Sequence, residues 1–199
     1  MATETRATGT GLVPYRLTVR QYEAMMDAGI FPAEAHVELI RGILVDKMTK
    51  YDPHNFAVGI LSDRLRGVLP AGWFVREEKS LRLGRWSRPE PDIIVVRGQH
   101  EDYRARTPEA RDVSLLIEVS DSTYRQDRGV KWHLYAASGI PNYWIVNIQG
   151  RQVEVFGHPE GSGKAAFYRD VQIFGPDVEA PVLIEGREVG RVAVRDLLP

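Results

Sequence analysis

The chain contains 199 residues, of which 43% are hydrophobic and 27% charged, and this length predicts one domain with a sizeable core. Its formal net charge of −1 at pH 7 excludes a global basic field that would attract nucleic acid. Because the sequence has no cysteine, disulfide frameworks, thiolate zinc sites and cysteine nucleophiles are excluded as well.

The first predicted element is a polar stretch rich in Gly and Thr, residues 1–14, which we expect to be a flexible N-terminal tail. We expect the remaining residues 15–199 to form the single domain. The opening sequence lacks the apolar segment of a signal peptide, and no apolar run reaches the roughly 18 residues that span a bilayer. We therefore expect a cytoplasmic protein with no membrane partner.

Two helices and a hairpin are predicted before the middle of the chain. A capping-box pattern predicts a short helix from Thr18 to Ala28. Residues with β-branched side chains around a glycine predict a hairpin or a bent strand from Val37 to Met48. A second helix is predicted to begin near Asp52, because a proline follows and apolar residues then recur at helical spacing.

Apolar runs in the middle of the chain predict buried strands. Trp73 to Leu83 reads as one long strand or a strand pair, and shorter strands are predicted at Ile93–Val96 and Val113–Ser120. Several further strands are predicted in the last third of the chain, starting with a hairpin about Gly150. Together with a third helix, this order predicts an α/β fold with a mixed central sheet, flanking helices and additional β-hairpins.

The third helix is predicted from Tyr124 to Ala137, with Val130, Leu134 and Ala137 as its apolar face. Gly139 follows closely and is a plausible C′ residue. This helix would cover the sheet next to the strand that precedes it.

Two carboxylates interrupt the most apolar strands. Asp92 directly precedes Ile93–Val96, and Glu118 lies within Leu115–Val119. Acidic residues are depleted in strands, and two carboxylates brought close together repel unless a cation neutralises both. The intervening loop is long enough to bring the strands side by side, and Mg²⁺ binds one or two carboxylates in proteins. The pattern predicts a site for Mg²⁺ or Mn²⁺, although each acid also fits a simpler interpretation at a strand end.

A lysine on the predicted third helix has the spacing to join this pair. Asp127, Lys131 and Tyr135 recur at every fourth position and lie on one helical face. An ammonium on that edge would orient a water or offset charge that develops on a phosphate. A surface ion pair of Lys131 with Asp127 is an equally good interpretation, and Tyr135 fits a core position better than a catalytic one.

These residues and their surrounding motifs resemble a known family. Asp92 in "PD", Glu118 in "IEVSDST" and the string "DRGVKWHLYAASGIPNYWIV" are similar to the Uma2 family of restriction-endonuclease-like proteins. That family (DUF820) belongs to the PD-(D/E)XK nuclease superfamily. The resemblance runs from about Tyr15 to the C-terminus and includes "HVELIRGILV" and "DPHN". It implies a restriction endonuclease-like sheet with a metal-dependent site for phosphodiester hydrolysis.

The resemblance also implies a role for each site residue. Asp92 and Glu118 would be catalytic and would hold Mg²⁺ together with the backbone carbonyl of Val119. The superfamily pattern has a lysine at the position where this chain has Ser120. The resemblance implies that the catalytic lysine is supplied from the helix instead, as Lys131.

Three further residues are candidates for positions near the site. The resemblance suggests Glu38 as a water-bridged ligand, and it places His54 nearby. Asp127 joins them because it shares the helical face of the candidate lysine. Glu38 fits equally well as an ion-pair partner of Arg41 or Lys47, and His54 fits better as a partly buried residue of the first helical turn.

The function that follows is metal-dependent endonuclease cleavage of DNA, with DNA as the partner. A basic cluster before the first strand acid would contact phosphates, and its members are Lys79, Arg82, Arg85 and Arg88. Because the net charge is close to zero, we expect modest, salt-sensitive affinity unless a homodimer supplies a cleft. Two alternatives stay open: a catalytically inactive nuclease-fold module for binding or assembly, which Ser120 and the low pI favour, and an enzyme for another phosphoester.

Overall fold

The computed structural model of the chain describes residues 13–32, 34–47 and 50–199. Most of the predicted tail, residues 1–12, and Met48 at the end of the predicted hairpin lie outside the described residues. The helices are α1 (Val19–Asp27), α2 (Asp52–Val68) and a third helix over residues 124–137. The strands are β1 (Val37–Ile40), β2 (Ile43–Asp46), β3 (Trp73–Glu77), β4 (Ile93–Arg97), β5 (Val113–Ser120), β6 (Asn142–Asn147), β7 (Gln152–Glu160), β8 (Phe167–Phe174), β9 (Glu179–Ile184) and β10 (Arg187–Ala193).

A six-stranded mixed sheet forms the centre of the fold, with the strand order β3-β4-β5-β6-β7-β8. Only β5 and β6 run parallel among these described neighbours, and the other pairs are antiparallel. A parallel pair needs a crossover connection, which the third helix provides. The predicted α/β fold with a mixed central sheet, flanking helices and additional hairpins is confirmed.

The two faces of the sheet bury separate hydrophobic cores. One face is covered by α2 and by the β9–β10 hairpin, which is a two-stranded sheet of its own. The other face is covered by the third helix and carries most of the buried aromatic rings. Each strand contributes side chains to both cores, because successive side chains of a strand point to opposite faces of the sheet. Along β5, for example, Ile117 and Val119 belong to the first core and Leu116 to the second.

The β1–β2 hairpin and α1 form a small unit against the edge of the main sheet. Thr18 caps α1, and the reciprocal hydrogen bonds of the capping box with Gln21 are present, as predicted. Strand β1 is tied to the segment before β4 by backbone hydrogen bonds between Leu39 and Arg88. This attachment brings Glu38, which is only 1% exposed, to the point where β4 begins.

The third helix contains a π-helical turn, Asp127–Lys131, between two α-helical segments. A π turn adds a residue to the helical repeat and rotates the side chains that follow it. Of the predicted apolar face, Leu134 is buried but Val130 is 38% exposed and Ala137 is exposed, so those two assignments were wrong. The turn instead buries Asp127 and Lys131 against the sheet.

Two other predicted elements differ from the structure. The strand predicted from Trp73 to Leu83 ends at Glu77, because Glu78 adopts a left-handed conformation with φ of 51°. Strand β10 was not predicted, since its charged residues and its glycine do not form an apolar pattern. None of the helices in the described part of the chain is long and apolar enough to cross a bilayer.

Candidate active site

The pairing of β4 with β5 brings the two predicted carboxylates together. Ile93 pairs with Ile117 in the antiparallel register, so Asp92 and Glu118 lie opposite each other one position further along. Both side chains line the same pocket, and their residues are 6% and 2% exposed. The pocket lies where β4 begins and β5 ends, at the start of the third helix.

The Asp92 carboxylate is held by three donors. Its Oδ2 accepts a hydrogen bond of 2.7 Å from the Val119 backbone N–H and lies 3.1 Å from His54 Nε2. Its Oδ1 accepts a hydrogen bond of 2.8 Å from Lys50 Nζ. Burial alone would raise the pKa of Asp92, but His54 and Lys50 outweigh it and hold the pKa well below its usual value. Asp92 is therefore ionised throughout the physiological pH range.

The second carboxylate, that of Glu118, has different surroundings. Its Oε1 accepts hydrogen bonds from Lys131 Nζ at 3.0 Å and from the Tyr135 hydroxyl at 2.5 Å. Burial raises the pKa of Glu118 to about 8, with the nearby Asp127 and Asp92 acting in the same direction and Lys131 opposing them. Asp92 and Glu118 thus differ in their affinity for a proton.

Lys131 lies at the centre of a group of three buried carboxylates. Besides its contact with Glu118, its Nζ lies 3.6 Å from Glu38 Oε1 and 3.6 Å from Asp127 Oδ1. Burial lowers the pKa of Lys131, but the charges of these carboxylates outweigh that effect and raise it above its usual value. The ammonium therefore stays charged and offsets the mutual repulsion of the acids.

Ser120 stands where the superfamily pattern has a lysine, and it points to Asp127. Its hydroxyl donates a hydrogen bond of 2.7 Å to Asp127 Oδ2, which also accepts one of 2.5 Å from Thr123. The other oxygen, Asp127 Oδ1, is buried without a hydrogen-bond partner among the described residues. Ser120 thus positions the Asp127 carboxylate beside Lys131. It does not supply the positive charge that a lysine at this position would supply.

The near-site candidates Glu38, His54 and Asp127 all line the pocket. Glu38 is tied to the segment before β4, because its Oε2 accepts a hydrogen bond of 3.0 Å from the Glu90 backbone N–H. Its expected alternative partner Lys47 forms an ion pair of 2.9 Å with Glu90 instead.

Two contacts of the pocket were missed by the sequence analysis. Lys50 bridges Asp92 and Glu78, with 2.8 Å to each carboxylate. Tyr135 is in the core, as expected, but its hydroxyl also binds Glu118. Nothing in the local pattern signals the first contact, since Lys50 lies in a polar stretch outside any predicted element. The second was available from the helical spacing that aligns Tyr135 with Lys131.

The oxygen atoms of the pocket are suitable ligands for a hard divalent cation. The Ser120 carbonyl accepts a hydrogen bond from Ile148 on the β6 side, so the carbonyl of Val119, one residue earlier in the strand, points to the opposite side, where β4 lies. Two carboxylates and a carbonyl are the oxygen ligands that Mg²⁺ prefers, with waters completing its shell. Across residues 13–32, 34–47 and 50–199, no three His, Cys, Asp or Glu side chains form a ready metal cluster. A cation here would therefore rely on two side chains, the backbone and water.

The predicted basic cluster does not line this pocket. Lys79, Arg82 and Arg88 line a separate groove beside β3, and Arg85 lies on the adjoining surface next to Arg82. Whether these residues contact phosphates stays a prediction.

Comparisons with known proteins agree with this architecture. The model of the Uma2 family, described as "Putative restriction endonuclease", matches residues 19–193. The fold is similar to that of "a putative nuclease belonging to DUF820" from Anabaena variabilis ATCC 29413, solved by crystallography at 1.96 Å resolution. The TM-score is 0.64 over 91% of this chain and 97% of that chain, and with 16% sequence identity the likeness shows the fold alone. No curated protein matches the chain in sequence.

Proposed function

We propose, from the premise that this chain belongs to the Uma2 family of restriction-endonuclease-like proteins, that it hydrolyses DNA phosphodiester bonds with the help of a divalent cation. The observation that carries the proposal is the register of β4 and β5. It sets Asp92 opposite Glu118, and the Val119 backbone N–H donates a hydrogen bond to Asp92. The expected cofactor is Mg²⁺ or Mn²⁺, and the expected substrate is DNA.

In this proposal Asp92 and Glu118 hold the ion together with the Val119 carbonyl. When bound, Mg²⁺ would polarise the scissile phosphate and lower the pKa of a coordinated water. Hydrogen bonds from Tyr135 and Lys131 fix the Glu118 carboxylate in one orientation. A fixed carboxylate serves catalysis because it needs no reorganisation when charge develops in the transition state.

Lys131 and Lys50 have different roles in this proposal. Lys131 is 7% exposed and is surrounded by carboxylates, so it acts mainly by holding Glu118 and offsetting the charge of the acids. The side chain of Lys50 is 23% exposed and sits on Asp92 at the pocket mouth. With a cation held by Asp92, the partly exposed Lys50 ammonium would be available to the phosphate of the substrate. Lys50 and Lys131 together would therefore supply the positive charge that a lysine at the position of Ser120 supplies in the superfamily pattern.

Nicking of a supercoiled plasmid tests the proposed function. Wild-type protein should nick the plasmid in Mg²⁺ and leave it intact in EDTA. Asp92→Asn should slow nicking about 100-fold or more, because removing a mere hydrogen-bond partner of a metal ligand already costs about 10- to 100-fold. Asp63→Asn is the matched control, since this exposed acid of α2 pairs only with Arg66 among the described residues. Equal rates for wild type and Asp92→Asn would contradict the proposal.

One observation favours an inactive nuclease-fold module as the second candidate. Lys50 already pairs with Asp92, and Lys131 already pairs with Glu118. A chain that had lost catalysis would keep such pairs for stability. Calorimetric titration of Mn²⁺ into wild type and Asp92→Asn separates the two candidates. Heat that depends on Asp92 supports the metal site, and no heat in wild type supports the module. The expected homodimer stays a prediction that sedimentation would check.

A further inference from the structure

A second groove lies beside the edge strand β3 and carries a concentrated positive charge. Seven basic and two acidic side chains line it. The chain as a whole has a net charge of −1, whereas the side chains that line this groove have an excess of five positive charges. The groove is therefore much more basic than the protein overall. A solvated surface of a near-neutral protein usually intersperses both signs, and a one-signed groove concentrates the electrostatic field.

Four of the basic side chains lack a carboxylate partner in the described part of the chain. Ion pairs neutralise three arginines of the groove, namely Arg88 with Glu23, Arg106 with Asp112 and Arg111 with Glu109. Among the described residues, no carboxylate lies within ion-pair distance of Arg76, Lys79, Arg82 or Arg104. These four are the charges available to an external anion.

The guanidinium of Arg76 is held in place without being neutralised. It lies 5.2 Å from the centre of the Tyr103 ring, and Arg106 lies 4.5 Å from the centre of the same ring. The Nε of Arg76 is buried and has no hydrogen-bond partner within the described ranges. A stacked guanidinium has already given up part of its side-chain freedom, so it binds a phosphate at a lower entropic cost than a free one.

Only a short backbone segment separates the groove from the candidate active site. Lys79 and Ser80 line the groove, whereas the preceding Glu78 binds Lys50 and donates its backbone N–H to the Asp92 carbonyl at 2.9 Å. Ser80 in turn donates to Glu90, which lines the pocket of the carboxylates. A polymer that leaves the pocket over this segment therefore enters the groove.

We propose that this groove binds the phosphate backbone of duplex DNA on one side of the bond to be cut, an inference that rests on the proposed function. Duplex DNA carries one negative charge per about 1.7 Å of helix axis, so it matches several fixed cations in a row. Arg82 links the groove to an adjoining surface with Arg20, Arg85 and the 41% exposed Trp86. The positive track therefore continues beyond the groove, as an extended polyanion requires.

The test compares two variants from which the same number of positive charges is removed. The groove variant combines Lys79→Gln, Arg82→Gln and Arg104→Gln, and the control variant combines Lys164→Gln, Arg187→Gln and Arg195→Gln. All six side chains lack an ion pair among the described residues, so neither variant removes a structural interaction of that kind. Binding of a labelled duplex of about 20 base pairs is followed by fluorescence anisotropy in EDTA, between about 50 and 200 mM KCl.

The groove variant should bind at least about tenfold more weakly at the lowest salt concentration. The slope of log K against log salt should shrink by about 0.9 for each phosphate that the variant no longer neutralises. The control variant should keep the wild-type slope, and both should keep the wild-type midpoint of urea unfolding. Equal weakening in the two variants, or an unchanged slope in the groove variant, would overturn the inference. Because EDTA prevents cleavage, this result is independent of the nicking assay that tests the proposed function.

Discussion

At the scale of single residues, two of the lysines that line the pocket, Lys50 and Lys131, differ in which interactions depend on them. Lys131 is the cation nearest to Glu118, Glu38 and Asp127, all of them buried. Lys50 shares Asp92 with His54 and with a backbone N–H, so that carboxylate keeps other donors when the lysine is removed. Lys131 should therefore matter for stability and Lys50 mainly for activity.

Replacement of each lysine by methionine, which keeps most of the side-chain volume, separates the two roles. Lys131→Met should lower the free energy of unfolding by about 3–5 kcal/mol, because it leaves buried charge without compensation. Lys50→Met should cost about 1 kcal/mol or less, because its ammonium is partly exposed. Urea unfolding at pH 7 measures both. A decrease for Lys50→Met that equals the decrease for Lys131→Met would contradict this division of roles.

At the scale of elements, the packing of α2 against β10 leaves no room for a side chain at Gly190. A Cβ at this position would lie 2.7 Å from the Cβ and from one methyl group of Val68. This close approach packs the C-terminal hairpin against the last residue of α2. At Gly59, in the middle of the same helix, no atom of the described residues lies within 4 Å of such a Cβ.

The two glycines predict opposite effects of the same change. Gly190→Ala should destabilise the protein by about 1–3 kcal/mol, because the overpacked contact forces the hairpin away from the helix. Gly59→Ala should stabilise it by about 0.5–1 kcal/mol, because alanine favours a helix interior. Thermal unfolding of both variants checks the signs. A stabilising Gly190→Ala would show that the hairpin is not packed as described.

Local sequence patterns predicted the helices and strands well, but they predicted the contacts between these elements less well. Asp92 and Glu118 stood out because buried strands rarely contain acids, and their strands are neighbours as expected. The prediction that Val130 is buried was wrong because helical periodicity assumes a regular repeat, which the π turn interrupts. Lys50 could not be assigned, since its approach to Asp92 depends on tertiary packing across 42 positions of sequence.

At the scale of the whole molecule, two neighbouring concave surfaces carry different kinds of charge. The pocket is lined by acids whose charge is only partly offset by lysines, whereas the groove beside β3 is lined mainly by arginines. The segment around Ser80 lies between them and contacts both. In the proposed function, the cation site and the DNA-binding groove would be neighbours joined by this segment. The cation site is the central claim, because the proposed chemistry depends on it.

Anomalous diffraction from crystals grown with Mn²⁺ tests that claim most directly. We predict one Mn²⁺ peak bonded to a carboxylate oxygen of Asp92, a carboxylate oxygen of Glu118 and the carbonyl oxygen of Val119. Lys50 should then have moved away from Asp92. A saturated crystal with no peak at these residues, or with a peak bonded to one carboxylate alone while Lys50 and Lys131 keep both their ion pairs, would contradict the account.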